Sequence, residues 1–152
     1  MPGIVVEKLT DGYDGAKSGI LASDILLGWK RGDQAGEFKS PYALWFLEIE
    51  QRPLGTVTIY GLRGDERRTW TMGPDYWGIR SRPNFPESLL SSYNEGQELA
   101  RQHKPAEAEQ VWLRMAGMLD DSESHDAYVW HLAHIADAFS AEKQWPDADR
   151  SQ

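Results

Sequence analysis

The sequence predicts an α+β protein: a small antiparallel β-barrel or sandwich with two helices, followed by an α-helical hairpin segment. Three observations predict it. The first half carries short apolar and β-branched runs of strand type, separated by nearly all of the chain's glycines. The second half has helical periodicity, and its only glycines are Gly96 and Gly117. Between the halves stands Arg82-Pro83-Asn84-Phe85-Pro86, whose two prolines remove backbone donors and turn their predecessors away from helix. The domain junction therefore falls at 83–87, with one domain over 1–83 and a helical segment over 84–152.

Each element has its own signal. Ile4–Leu9 and Asp24–Trp29 have the apolar density of buried strands, and Asp14–Gly19 between them reads as a glycine-rich helical turn. Ser40-Pro41 gives an N-cap with proline at the first helical position, so a helix runs to about Arg52 and stops at Pro53. Thr56–Tyr60 alternates as a half-buried strand does, Arg63-Gly-Asp-Glu66 turns, and Arg67–Met72 returns as the second arm of a hairpin. Beyond the junction, helices are expected over about Glu87–His103, Pro105–Leu119 and Asp126–Lys143. A fourth helix begins at Pro146, and the stop shortly after it suggests truncation.

Composition excludes several function classes. The chain has 152 residues, enough for one medium domain or two small ones, and its 40% hydrophobic content with seven Trp and six Tyr supports a packed core. Its net charge of −8 argues against nucleic acid as a partner, since phosphate binding needs a basic footprint. There are no cysteines, so disulfides and thiolate chemistry are excluded. No apolar run is long enough to span a membrane and no signal segment opens the chain, so a soluble chain of unassigned compartment is expected.

The ordered elements resemble a known family. Gly3–Leu9, Asp14–Gly19, Asp24–Trp29, Ser40–Arg52 and Thr56–Leu62 resemble the third strand, short helix, fourth strand, long helix and last strand of a PDZ domain. That small fold grips the C-terminal tails of other proteins. The family's first strand and carboxylate-binding loop are similar to Arg67–Met72 and to Gly73–Ile79, where Tyr76-Trp77-Gly78-Ile79 fits the pattern apolar, glycine, apolar. Residues 3–82 thus resemble a circularly permuted PDZ domain of bacterial type, with the hairpin at Gly64 joining the old ends. Ser23 stands where the family has glycine, and Lys30-Arg-Gly-Asp33 replaces its Asn-Gly turn.

The resemblance implies a site. A partner's C-terminal tail or extended peptide would add as a strand beside Ile79, Arg80, Ser81 and Arg82. Its carboxylate would rest on the backbone amides of Trp77, Gly78 and Ile79, after Tyr76, with Gly78 allowing close approach. Asp75 would repel that carboxylate unless Arg67, Arg68 or Arg80 offsets it. By helical period, Tyr42, Phe46 and Ile49 face the groove while Ala43, Leu44 and Leu47 face the core. The alternative, that all six are core, stays open.

In the second half, Gly96-x2-Leu99, Ala108 and Trp112 resemble the small-and-large pattern of tetratricopeptide (TPR) helix pairs, and Leu132, Ala136 and Phe139 resemble the start of a second copy. One and a half repeats cannot bury their own face, so the helices pack on the first half, self-associate or continue in a longer chain. His131-x2-His134 with Asp137 has helical spacing, yet it lacks the glutamate of an H-E-x-x-H motif, so ordinary histidines are expected there. No Gly-x-Ser-x-Gly elbow occurs, and both Arg-Gly-Asp triplets, at 31–33 and 63–65, read as turn chemistry. The expectation is a non-enzymatic protein-interaction scaffold with no cofactor and no metal. The alternatives are a regulatory fragment of a larger enzyme, such as a PDZ protease of the HtrA type, and a structural spacer whose groove is filled internally.

Overall fold

The computed structural model describes residues 3–119 and 129–136. The secondary structure is mixed α+β, and the chain divides into two compact units, Met1–Asn84 and Phe85–Gln152. In the first unit the order is β1 (Ile4–Leu9), α1 (Asp14–Lys17), β2 (Ile25–Arg31), β3 (Gln34–Glu37), α2 (Pro41–Glu50), β4 (Val57–Arg63), β5 (Glu66–Met72) and β6 (Ile79–Pro83). All the strand pairings are antiparallel and follow the order β5-β4-β2-β1-β6, with β3 paired to β2. The sheet is open, with β5 and β6 at its ends, and does not close into a barrel.

Burial follows the pleat. In β4, residues Val57, Ile59 and Gly61 are buried while their neighbours are half-exposed, as the period of two requires. The core gathers Ile4, Val6, Leu26, Val57, Ile59 and Met72 from the strands, Leu44 and Leu47 from α2, and Phe38 and Trp77 from the connections. The helix expected from Ser40 begins at Pro41. Ser40 has the extended backbone of an N-cap without a side-chain cap bond, so Pro41, preset for the first turn, opens the helix. After Glu50 the chain tightens into a 3₁₀ turn over Arg52–Leu54, and Arg31 Nε donates to Gln51 Oε1 at 2.7 Å, tying this end to β2.

One strand is not visible in sequence. Lys30-Arg-Gly-Asp33 is a turn, as its composition indicates, but it closes a hairpin whose return arm is β3. Gln34-Ala-Gly-Glu37 has no apolar alternation because its side chains are mostly exposed, so backbone pairing alone defines it.

An ion pair between a buried aspartate and a partly exposed arginine fixes the corner where β2 and β4 meet. Asp24 is almost fully buried and accepts from Leu21 N (2.8 Å), Arg63 Nε (2.9 Å) and Arg63 Nη2 (2.8 Å). Arg63 Nη2 also donates to the Gly19 carbonyl at 2.9 Å. Burial pushes the Asp24 carboxyl up, but the bonds from Arg63 and Leu21 and the Arg63 charge outweigh it and hold it below the ordinary 3.8. Ser23, just before it, lies at φ 78°, a conformation costing a non-glycine residue about 1 kcal/mol. The Asp24 bonds hold that turn in place.

In the second unit, α3 (Glu87–Arg101) and α4 (Pro105–Leu119) form a helical hairpin, reversed at His103 with φ 59°. Residues 129–136 are helical. The remainder of the helix expected over Asp126–Lys143, and the one expected from Pro146, lie outside the described residues. Phe85, Leu89, Tyr93, Ala108, Trp112, Met115 and Ile135 make this unit's core. Gly96 lets the Trp112 ring lie against the α3 backbone, since a Cβ there would overlap the indole, and Trp112 Nε1 donates to the Tyr93 carbonyl at 3.2 Å.

His131 is fully buried among these rings, with Nε2 3.0 Å from the Trp112 carbonyl oxygen and Nδ1 without a hydrogen-bond partner among the described residues. Burial pulls its pKa down to about 4; the Trp112 carbonyl opposes this and His134 adds to it.

Two predictions follow from these buried charges and near-charges. Arg63→Met strands the Asp24 carboxylate and should lower stability at neutral pH, read as a lower midpoint in urea unfolding. Asp24 titrates low in the fold, so its contribution is complete above the unfolded pKa and is lost as pH falls through the folded value. The gap between wild type and Arg63→Met should therefore narrow in acid. His131 is neutral in the fold until about pH 4. Acidification from about 6.5 to about 4 should therefore destabilise the helical unit by roughly 3 kcal/mol, with the His131 Hε1 NMR signal titrating near the lower value.

Candidate functional site

The site is built from the loop between β5 and β6. Trp77 is fully buried and its Nε1 donates to the Gly73 carbonyl at 2.9 Å, which folds the loop back on itself. The carbonyls of Tyr76, Trp77 and Gly78 accept in turn from the amides of Asp14 (3.1 Å), Gly15 (2.9 Å) and Thr10 (2.9 Å). A trans peptide plane points its N–H opposite its C=O. The amides of Trp77, Gly78 and Ile79 are therefore turned away from the segment Thr10–Gly15. Gly78 makes this possible: it lies at φ 65°, and a Cβ there would sit 2.8 Å from the Tyr13 ring.

Beyond the loop, β6 pairs with β1 along one edge and ends the sheet at the other. Between that edge and α2 lies a groove of about 290 Å³. The helix contributes Pro41, Leu44, Trp45, Glu48 and Ile49, the 3₁₀ turn Arg52, and the loop and strand Tyr76, Ile79 and Ser81.

Of the residues singled out in sequence, Ile49, Tyr76, Ile79 and Ser81 line this groove. Arg80 is exposed, alternating outward between Ile79 and Ser81. Trp77 is a core residue and Gly78 is buried in the loop turn. Tyr42 and Phe46 are exposed on α2 but do not belong to the groove wall, whereas Leu44 serves both core and groove. The residues of this segment that line the groove are 41, 44, 45, 48, 49 and 52. Trp45, Glu48 and Arg52 are thus the groove residues that hydrophobic periodicity misses. The helix is apolar nearly all round, so its pattern cannot select a face; the spacing of Glu48 and Arg52, i and i+4, is the signal that marks this one.

The groove holds one charge pair, loosely made. Arg52 Nη1 and Glu48 Oε2 are 3.6 Å apart, beyond hydrogen-bond length, with both side chains largely buried. Burial raises the Glu48 carboxyl above its ordinary range, and the Arg52 charge and the Trp77 amide hydrogen bond lower it without cancelling that effect. The Arg52 guanidinium lies 5.8 Å from the centroid of the Tyr76 ring, which packs edge-on against Tyr13 at 5.1 Å. Its Nε and Nη1 are buried without a hydrogen-bond partner among the described residues.

A search of family models finds no match to this chain. Neither does a search of the curated proteins.

No group of three or more His, Cys, Asp or Glu that could hold a metal occurs among the described residues. His134 Nε2 lies 3.2 Å from Gln97 Oε1, and Asp137 is outside those residues. No helix among them is long and apolar enough to cross a membrane.

Gly78→Ala should destabilise the first unit by about 2 kcal/mol, from the left-handed backbone alone, with further loss from the Tyr13 contact. Thermal unfolding checks the loss, and amide NMR shifts should change along residues 76–79.

Proposed function

We propose that this protein binds an extended segment of a partner protein, which adds as a strand to the open edge of β6 and lays alternate side chains into the groove beside α2. The observation that carries this reading is the coincidence of three features at one place. They are a strand at the end of the sheet with no second strand partner among the described residues, a groove of mixed apolar and charged lining along it, and a loop whose three amides turn away from the segment Thr10–Gly15. An unpaired edge supplies main-chain donors and acceptors in the register a guest strand needs, and pockets beside it supply choice among side chains.

The reading agrees with a permuted PDZ-like domain. The strand, turn and helix series runs in the implied order, the β4–β5 hairpin stands where the old ends would be joined, and the loop leads directly into the edge strand. The second unit's hairpin, with Gly96 against Trp112 and Ala108 in its core, supports a TPR-like reading of the helical segment. In this role the protein is a scaffold, not an enzyme. Trp45, exposed at the groove wall, is the natural apolar anchor for the guest.

Titration of short-peptide libraries into the full chain tests this, read by backbone amide shifts. Binding peptides should move signals across 79–83 and along α2, and Trp45→Ala should weaken them by about tenfold or more. Absence of shifts at β6 with every peptide would refute the proposal.

A further inference from the structure

Across the β1–β6 ladder, Lys8 stands directly opposite Arg80. Both are exposed, on the face of the sheet away from the groove, because Arg80 lies between Ile79 and Ser81, the two strand residues that line it. Neither cation makes an ion pair among the described residues. Arg82, two residues on, differs: its Nη1 already donates to the Pro83 carbonyl at 3.0 Å. Like charges directly opposite each other on a sheet repel, and an opposite charge in the same row relieves them. A strand added alongside β6 lengthens each cross-strand row by one residue. Its residue opposite Arg80 shares the face of Arg80 and Lys8, and the residues on either side of it turn toward the groove. The chain as a whole carries a charge of −8, so a preference for an acidic guest has to come from cations at the point of contact.

We propose that Arg80, backed by Lys8, is a specificity residue for the guest's outward face: the bound segment carries an acidic residue opposite Arg80, flanked by two apolar residues directed into the groove. This rests on the strand-addition reading above and narrows it to a partner segment of the pattern apolar, acidic, apolar. The flanking pair meets the apolar wall formed by Leu44, Trp45, Ile49 and Ile79. A basic residue in the middle would put a third like charge into one row, so basic segments are rejected by the same feature that attracts acidic ones.

The experiment titrates short peptides, acetylated and amidated so that their ends are neutral, against the full chain by fluorescence anisotropy. Each peptide sets one test position, filled by glutamate, glutamine or lysine, among apolar residues, and the position is moved along the sequence. Backbone amide shifts over 79–83 locate the binding. At an ionic strength of about 0.01 M the best glutamate peptide should bind roughly fivefold more tightly than its lysine counterpart, with the preference confined to outward positions and fading at about 1 M. Arg80→Glu should reverse the order, and Lys8→Gln should reduce the ratio to about twofold. Equal or tighter binding of the lysine peptides by wild type overturns the inference, as does a glutamate preference that survives Arg80→Glu, while strand addition itself would stand. If no peptide moved signals at β6, strand addition would fail, and this inference with it. Both substituted side chains are exposed, so neither variant touches the core.

Discussion

The carbonyls of Tyr76, Trp77 and Gly78 are each taken by an amide from the segment Thr10–Gly15, and the position of β6 depends on that clamp. With Trp77 buried beneath it, the loop has one arrangement in which its acceptors are satisfied and its donors face outward. The direction of the donors is a by-product of peptide planarity. Nothing at the groove needs separate construction: the edge, the donors and the helix wall follow from fixing one loop against one short helical turn.

Two ion pairs in the first unit show how similar residues serve different ends. Around Asp24, the carboxylate oxygens receive Arg63 and a backbone amide at 2.8–2.9 Å, so burial is compensated and the charge is stabilised. Around Glu48, the partner guanidinium stands off at 3.6 Å and keeps two buried nitrogens without acceptors. The first pair closes a corner of the sheet. The second is a looser pair whose charges are left less fully compensated. Perturbed carboxyls with incomplete partners concentrate where proteins bind or react.

Much of the fold was legible in the chain. Strands β1, β2, β4 and β5 stand out because their side chains alternate between core and solvent, and α2 because proline marks both its first turn and its end. What escaped notice did so for physical reasons. The strand β3 buries almost no side chain, so its sequence carries no apolar period to read. Of the α2 residues expected at the groove, Ile49 lines it while Tyr42 and Phe46 do not, and the pattern could not separate them because Tyr42, Trp45, Phe46 and Ile49 make the helix apolar on every exposed side. The i, i+4 spacing of Glu48 and Arg52 is the directional signal on that surface. Ser23 depends on its surroundings: as a residue it suits the turn poorly, and the Asp24 bonds hold it there.

An open sheet edge usually endangers the protein that carries it, because a second copy can pair along it and begin a fibre. Here β6 is short, at five residues, and ends in Pro83, which has no N–H to offer. Its pairing with β1 is irregular between Val6 and Lys8, and Arg80 and Arg82 place positive charge along it. These are the means by which β-proteins keep an edge from templating its own kind. Under the proposed strand addition, a guest would pair with this edge over a few residues only, and the same features work against a ladder that runs from copy to copy.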